Sequence, residues 1–73
     1  MAQKRSILVA GHRTSISLEE EFWSELHQIT TEKKMSINQL ITVIDQKRTT
    51  NLSSAIRLFV LAEIKAKAAS DNC

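Results

Sequence analysis

Between Thr14 and Leu18, apolar or β-branched side chains alternate with small polar ones. Strand side chains alternate with period two, so Thr14, Ile16 and Leu18 share one face and Arg13, Ser15 and Ser17 the other. A strand over about His12–Leu18 is predicted. Glu19, Glu20 and Glu21 follow, and negative charge there complements the exposed N–H groups that open a helix. A lone strand cannot satisfy its own backbone hydrogen bonds, and no later stretch reads as a second strand. The expected partner is therefore the same strand of a second copy. Ile7, Leu8 and Val9 could lengthen the strand, but an unbroken run would put Ile7 and Val9 on the Arg13–Ser15–Ser17 face. Gly11, the only glycine, offers a bulge or turn between the two runs. Residues 1–11 are expected as a separate arm whose apolar side chains pack on protein.

The remaining pattern predicts three helices. The first runs from about Glu19 to Lys33, with Phe22, Leu26 and Ile29 on one stripe and Trp23 beside it as core or interface. Ser17 with Glu20 has capping-box spacing, an alternative use for that serine. The second helix, about residues 36–48, opens on Ser36 and Gln39 at the same spacing, with Met35 placed to staple onto Leu40. Ile37, Leu40, Ile41 and Ile44 then form a core stripe. The third runs from Asn51 as N-cap to about Ala68. Leu52, Ala55, Ile56, Leu58, Phe59, Val60, Leu61 and Ile64 leave it apolar nearly all round, which two small helices of one chain cannot cover. This is a second argument for a dimer, and residues 69–73 are expected to fray.

Composition adds limits. Seventy-three residues hold one domain, and a chain this short buries only roughly 60% of its unfolded surface, so a staple, a metal or a partner subunit is often needed. Cys73 is the only thiol, which excludes an internal disulfide and suits a reducing compartment. The apolar run after Arg5 is too short for a secretory core or a membrane span, so a cytoplasmic protein without membrane contact is expected. The net charge is only +2, but residues 1–18 carry Lys4, Arg5 and Arg13 with no acid, whereas residues 19–35 hold five glutamates. A basic ribbon beside an acidic helix is compatible with docking on phosphates.

Chemistry-bearing patterns are scarce. There is no phosphate-cradling glycine loop, cysteine pair or His-Glu-x-x-His spacing. His12 and His27 lie on different elements and do not make a metal site alone. Ser15 and Ser17 lack a neighbouring base. No enzyme, metal or cofactor is expected.

The order of strand, helix and capped helix, with Arg-x-Ser-x-Ser on one strand face, resembles the ribbon-helix-helix family of Arc- and MetJ-like repressors from Arg13 to about Lys47. The whole chain is similar to a bacterial branch of it through Gly11–Glu19, Phe22-Trp23 and Asn51–Arg57. The resemblance implies a mainly α fold in which one N-terminal strand pairs across a homodimer and enters the major groove, with a third C-terminal helix added. It implies Arg13, Ser15 and Ser17 as base readers, because the major groove presents a distinct donor and acceptor pattern for each base pair. Lys4, Arg5 and the start of the second helix, Ser36, Ile37 and Asn38, would anchor phosphates. The expected dimer core is Ile16, Leu18, Phe22, Trp23, Leu26, Leu40, Ile41, Ile44, Ile56 and Phe59. Many members place a glycine between the helices where this chain has Lys34-Met35. The function implied is sequence-specific binding of double-stranded DNA by a small transcriptional regulator. The alternative is a dimeric protein-interaction module, or an antitoxin-like partner of another protein, that keeps the fold.

Overall fold

The computed structural model describes residues 2–71 and consists of an N-terminal hairpin followed by three helices. Strands β1 (Ala2–Val9) and β2 (His12–Glu19) pair antiparallel, with Val9 opposite His12 and Lys4 opposite Ser17. Helices α1 (Glu20–Lys33), α2 (Ile37–Lys47) and α3 (Leu52–Asp71) follow. The Cys73 thiol lies outside the described residues, and α3 continues through residues 69–71, which were expected to fray.

The separate arm expected over residues 1–11 is instead a strand, and the partner of β2 comes from the same chain. Ala10 and Gly11 form the reversal with φ of 51° and 84°, and two consecutive positive φ angles are what a two-residue type I′ hairpin requires. Nothing lies within 4 Å of a Cβ built on Gly11, so its backbone angle and not its surroundings selects glycine. The turn also resolves the parity conflict. Reversing the chain puts Ile7 opposite Thr14 and Arg5 opposite Ile16, so Ile7 and Val9 join Ile16 and Leu18 on one face. All four are buried.

That face rests on the helices. α2 packs on β1, while α1 and α3 pack on β2. Trp23, Leu26 and Ile29 from α1, Leu40, Ile41 and Ile44 from α2, and Ile56 and Val60 from α3 complete one core. Full burial of such a side chain stabilises by about 1.5–3 kcal/mol. Most residues expected to form a dimer core are thus already buried within one chain. Phe22 and Phe59 are only partly buried against it.

Polar contacts fix the elements locally. The Trp23 indole N–H donates to the Gln3 carbonyl at 3.0 Å, tying α1 to β1. Thr30, the buried polar residue, donates to the His27 carbonyl at 2.7 Å. Lys33–Glu63 (3.5 Å) and Lys67–Glu32 bridge α1 to α3. The capping box on α2 forms in full: Ser36 Oγ accepts from the Gln39 N–H at 3.1 Å, and Gln39 Oε1 accepts from the Ser36 N–H at 2.9 Å. Asn51 caps α3 by accepting from the Ser54 N–H at 2.9 Å. The capping box read from Ser17 and Glu20 does not form. Glu19 is the N-cap of α1 and makes no side-chain cap, since Ser17 is still in extended β2.

Candidate nucleic-acid interface

The hairpin has one apolar face and one polar face. Directly opposed residues of an antiparallel pair project from the same side, so the outer face carries Lys4, Ser6 and Leu8 from β1 and Ser17, Ser15 and Arg13 from β2. All six are exposed. None is acidic, and neither Lys4 nor Arg13 is in an ion pair among the described residues. The sequence-based readers Arg13, Ser15 and Ser17 therefore lie together on one strand. Ser6, Leu8 and Lys4 stand across from them, and the first two were missed. The signal was present: the apolar alternation Ile7, Val9 mirrors Ile16, Leu18 about Ala10-Gly11, which fixes the outward positions of both strands.

The face ends at Glu19, which is drawn onto α3. Arg57 Nε lies 3.0 Å from Glu19 Oε1, and the guanidinium sits over the Phe22 ring with 5.9 Å to its centroid. A backbone hydrogen bond at Glu19, and then the Arg57 guanidinium, hold this carboxyl below its ordinary value. The acid at the ribbon's end is therefore partnered by Arg57.

The expected phosphate anchors divide. Lys4 faces outward with the readers. Arg5 has the opposite strand parity: its guanidinium stacks over Trp23 at 5.0 Å and bonds Gln3 Oε1 at 3.2 Å. It also lies 3.4 Å from the Nε2 of His27. As a groove anchor Arg5 is misplaced, because it is spent on holding β1 to α1. At α2, the Ser36 N–H is taken by Gln39, which leaves the Ile37 and Asn38 N–H groups as the unpaired donors of the helix start. They stand in the positive end of the helix dipole.

Lys34 joins this end of the molecule. It sits in left-handed geometry (φ 56°, ψ 45°) as the C-cap just after α1, its N–H donating to the Thr30 and Thr31 carbonyls. The Met35 N–H donates to the Thr30 carbonyl at 3.0 Å, completing a Schellman-type stop. The turn that many ribbon-helix-helix sequences make with glycine is thus made here with lysine. An open groove of about 790 Å³ runs between the hairpin tip and α2, lined among others by Leu8, Gly11, Lys34, Asn38, Thr42 and Gln46. It connects the outer ribbon face to the start of α2 without a carboxylate in its lining.

Among the described residues no cluster of His, Cys, Asp and Glu suits a metal ion, and no helix is long and apolar enough to cross a membrane. Comparison with curated proteins and with solved structures returns no match. The family model of the ribbon-helix-helix domain matches residues 2–64, which takes in the hairpin, α1, α2 and most of α3, and the chain belongs to that family.

Proposed function

We propose that this protein is a sequence-specific DNA-binding protein, a small cytoplasmic transcriptional regulator that reads the major groove with the outer face of its hairpin. Proteins of this family are generally DNA-binding transcription regulators or antitoxins, typically non-enzymatic, and typically dimerise. The observation that carries the reading is the outer face itself: Lys4, Ser6, Arg13, Ser15 and Ser17 exposed together on a two-stranded ribbon with no unpartnered acid. Strands about 4.8 Å apart make a ribbon that a groove about 12 Å wide admits. Arg13 is suited to the two acceptors of guanine and the serines to either donors or acceptors. Leu8, directly opposite Arg13, supplies an apolar surface of the kind that packs on a thymine methyl. Lys4, Lys34 and the Ile37 and Asn38 N–H groups would take phosphates on either side.

Fluorescence anisotropy on duplex DNA over a salt series tests this. Lys4→Ala should weaken binding to all sequences alike and lower the salt slope by about 1. Arg5→Ala should leave that slope unchanged. Absence of salt-dependent binding by the folded protein would reject the reading. A second reading, a protein-interaction module, is favoured by one observation: Leu8 is 51% exposed at the turn end of the outer face. Retained folding with no DNA affinity, and loss of a protein partner on Leu8→Ser, would support it.

A further inference from the structure

Where α2 hands over to α3, the two helices flank a cleft of about 370 Å³ that the DNA-binding reading does not use. Its apolar lining comes from Val43 and Ile44 on α2 and from Ala55, Leu58 and Phe59 on α3. Ile44 belongs to the core, and Ala55 and Phe59 pack against it, while Val43 and Leu58 stay exposed. The polar rim is Lys47, Arg48, Thr49 and Thr50.

The rim is held in shape by its own chain. Arg48 Nε donates to Asp45 Oδ1 at 2.7 Å, and Arg48 Nη1 donates to the Thr50 carbonyl at 2.8 Å, which ties the end of α2 to the connector. Asn51 then fixes the start of α3: its side chain accepts from the Ser54 N–H and its carbonyl from the Ala55 N–H, both at 2.9 Å. A pocket whose walls are already ordered loses little binding free energy to closing. The same bonds settle the charge. The Asp45 carboxylate faces Arg48, and no acid is among the residues lining the cleft. Lys47 is exposed and stands in no ion pair among the described residues. The rim therefore offers one uncompensated ammonium beside an apolar floor.

We propose that this cleft binds a small organic carboxylate whose apolar body is the size of one aromatic ring and a short chain. The body lies on Val43, Ile44, Leu58 and Phe59, and the carboxylate takes the Lys47 ammonium, with a threonine hydroxyl of the rim as second donor. An inorganic anion would leave the apolar floor in water, and a neutral hydrocarbon would leave Lys47 without a counter-charge. The volume lies at the lower end of the roughly 300–1,000 Å³ of ligand pockets, which suits a molecule of this size. The proposal stands apart from the DNA-binding reading. The Ile37 and Asn38 N–H groups open α2, whereas the cleft is lined by its second half, and the cleft shares only Val43 with the groove beside the hairpin tip.

The test is an NMR titration of the isotope-labelled full chain, without DNA, using phenylpropanoate, phenylpropanol and phenylpropylammonium, which share one body and differ in charge. Phenylpropanoate should saturate in the low millimolar range or tighter. It should move the amide signals of Val43, Lys47, Thr50 and Phe59 and leave those of Arg13 and Ser15 on the ribbon in place. It should bind about threefold tighter than the alcohol, the margin of an exposed ion pair, and the ammonium should bind more weakly than either. Lys47→Met should remove the preference for the carboxylate and keep the affinity for the alcohol. Leu58→Glu should abolish phenylpropanoate binding with an unchanged circular dichroism spectrum, and Val43→Glu serves if that variant does not fold. Absence of saturation, equal affinity for the three probes, or a carboxylate preference that survives Lys47→Met overturns the proposal. Cleft signals that move with protein concentration alone, and not with phenylpropanoate, would give the cleft to another copy of the chain and overturn it as well.

Discussion

Arg57 on α3 and Glu19 at the end of β2 are 38 positions apart in sequence and 3.0 Å apart in space. This pair joins the end of the ribbon to α3 and partners the carboxylate at that end. The third helix therefore contributes to the charge balance at the end of the ribbon.

A pH dependence follows from it. The folded pKa of Glu19 is lowered by a backbone hydrogen bond and by Arg57. The associated stability is complete above the unfolded pKa and is lost as pH falls through the lowered folded value. Arg57→Gln removes the guanidinium's share. Denaturant titrations should show the variant less stable than wild type at about pH 7 and the gap closing only as pH falls through the lowered folded value, where the carboxyl becomes protonated. An equal gap on both sides of that value would place the cost in lost packing on Phe22.

Ala10 tests whether the ribbon closes within one chain. It holds φ of 51° without being glycine, a strain of about 1–2 kcal/mol. Asn-Gly is the favoured pair for this turn, so Ala10→Asn should stabilise by about 0.5–1 kcal/mol, as a fraction of that strain. Lys34→Gly should gain a similar amount, roughly 1 kcal/mol, for the same reason at the α1 stop. A destabilised Ala10→Asn would mean the strands are not joined by this turn.

Burial within one chain predicts contrasting costs along α3. Ile56 has no exposed surface, and Ile56→Ala should cost about 2–5 kcal/mol in chemical denaturation. Leu58, one turn-fraction away and 61% exposed, should change the stability of the dilute monomer by less than about 0.5 kcal/mol on replacement by alanine. Comparable costs would mean that both faces of α3 are buried together, as in an obligate dimer.

Much of this architecture was legible because its signals are local. Ser36 with Gln39, Asn51 before an apolar run, and the Ile37–Leu40–Ile41–Ile44 stripe each announce an element by the chemistry of a few residues. The hairpin was not read, because Ala10-Gly11 lacks the asparagine that usually marks a two-residue turn. A run of apolar residues followed straight through Gly11 comes out on the wrong face, whereas reversed at Gly11 it lands on the core. Arg5 shows the matching limit for sites. Its charge suggested a phosphate anchor, but only the strand register shows that it points inward to Trp23. The Glu19–Arg57 pair is a long-range contact for which the sequence carries no local sign.

The central claim, that the outer ribbon face reads bases, is tested most directly by selecting binding sites from random-sequence duplex DNA at roughly physiological salt. Wild type should enrich a short inverted repeat, since a two-fold protein binds symmetric half-sites. Arg13→Ala should lose the enrichment at one base pair per half-site, a discrimination of about 1–3 kcal/mol, while still binding DNA through Lys4 and α2. Enrichment that survives Arg13→Ala unchanged, or a wild type that binds but enriches no sequence, would contradict the account.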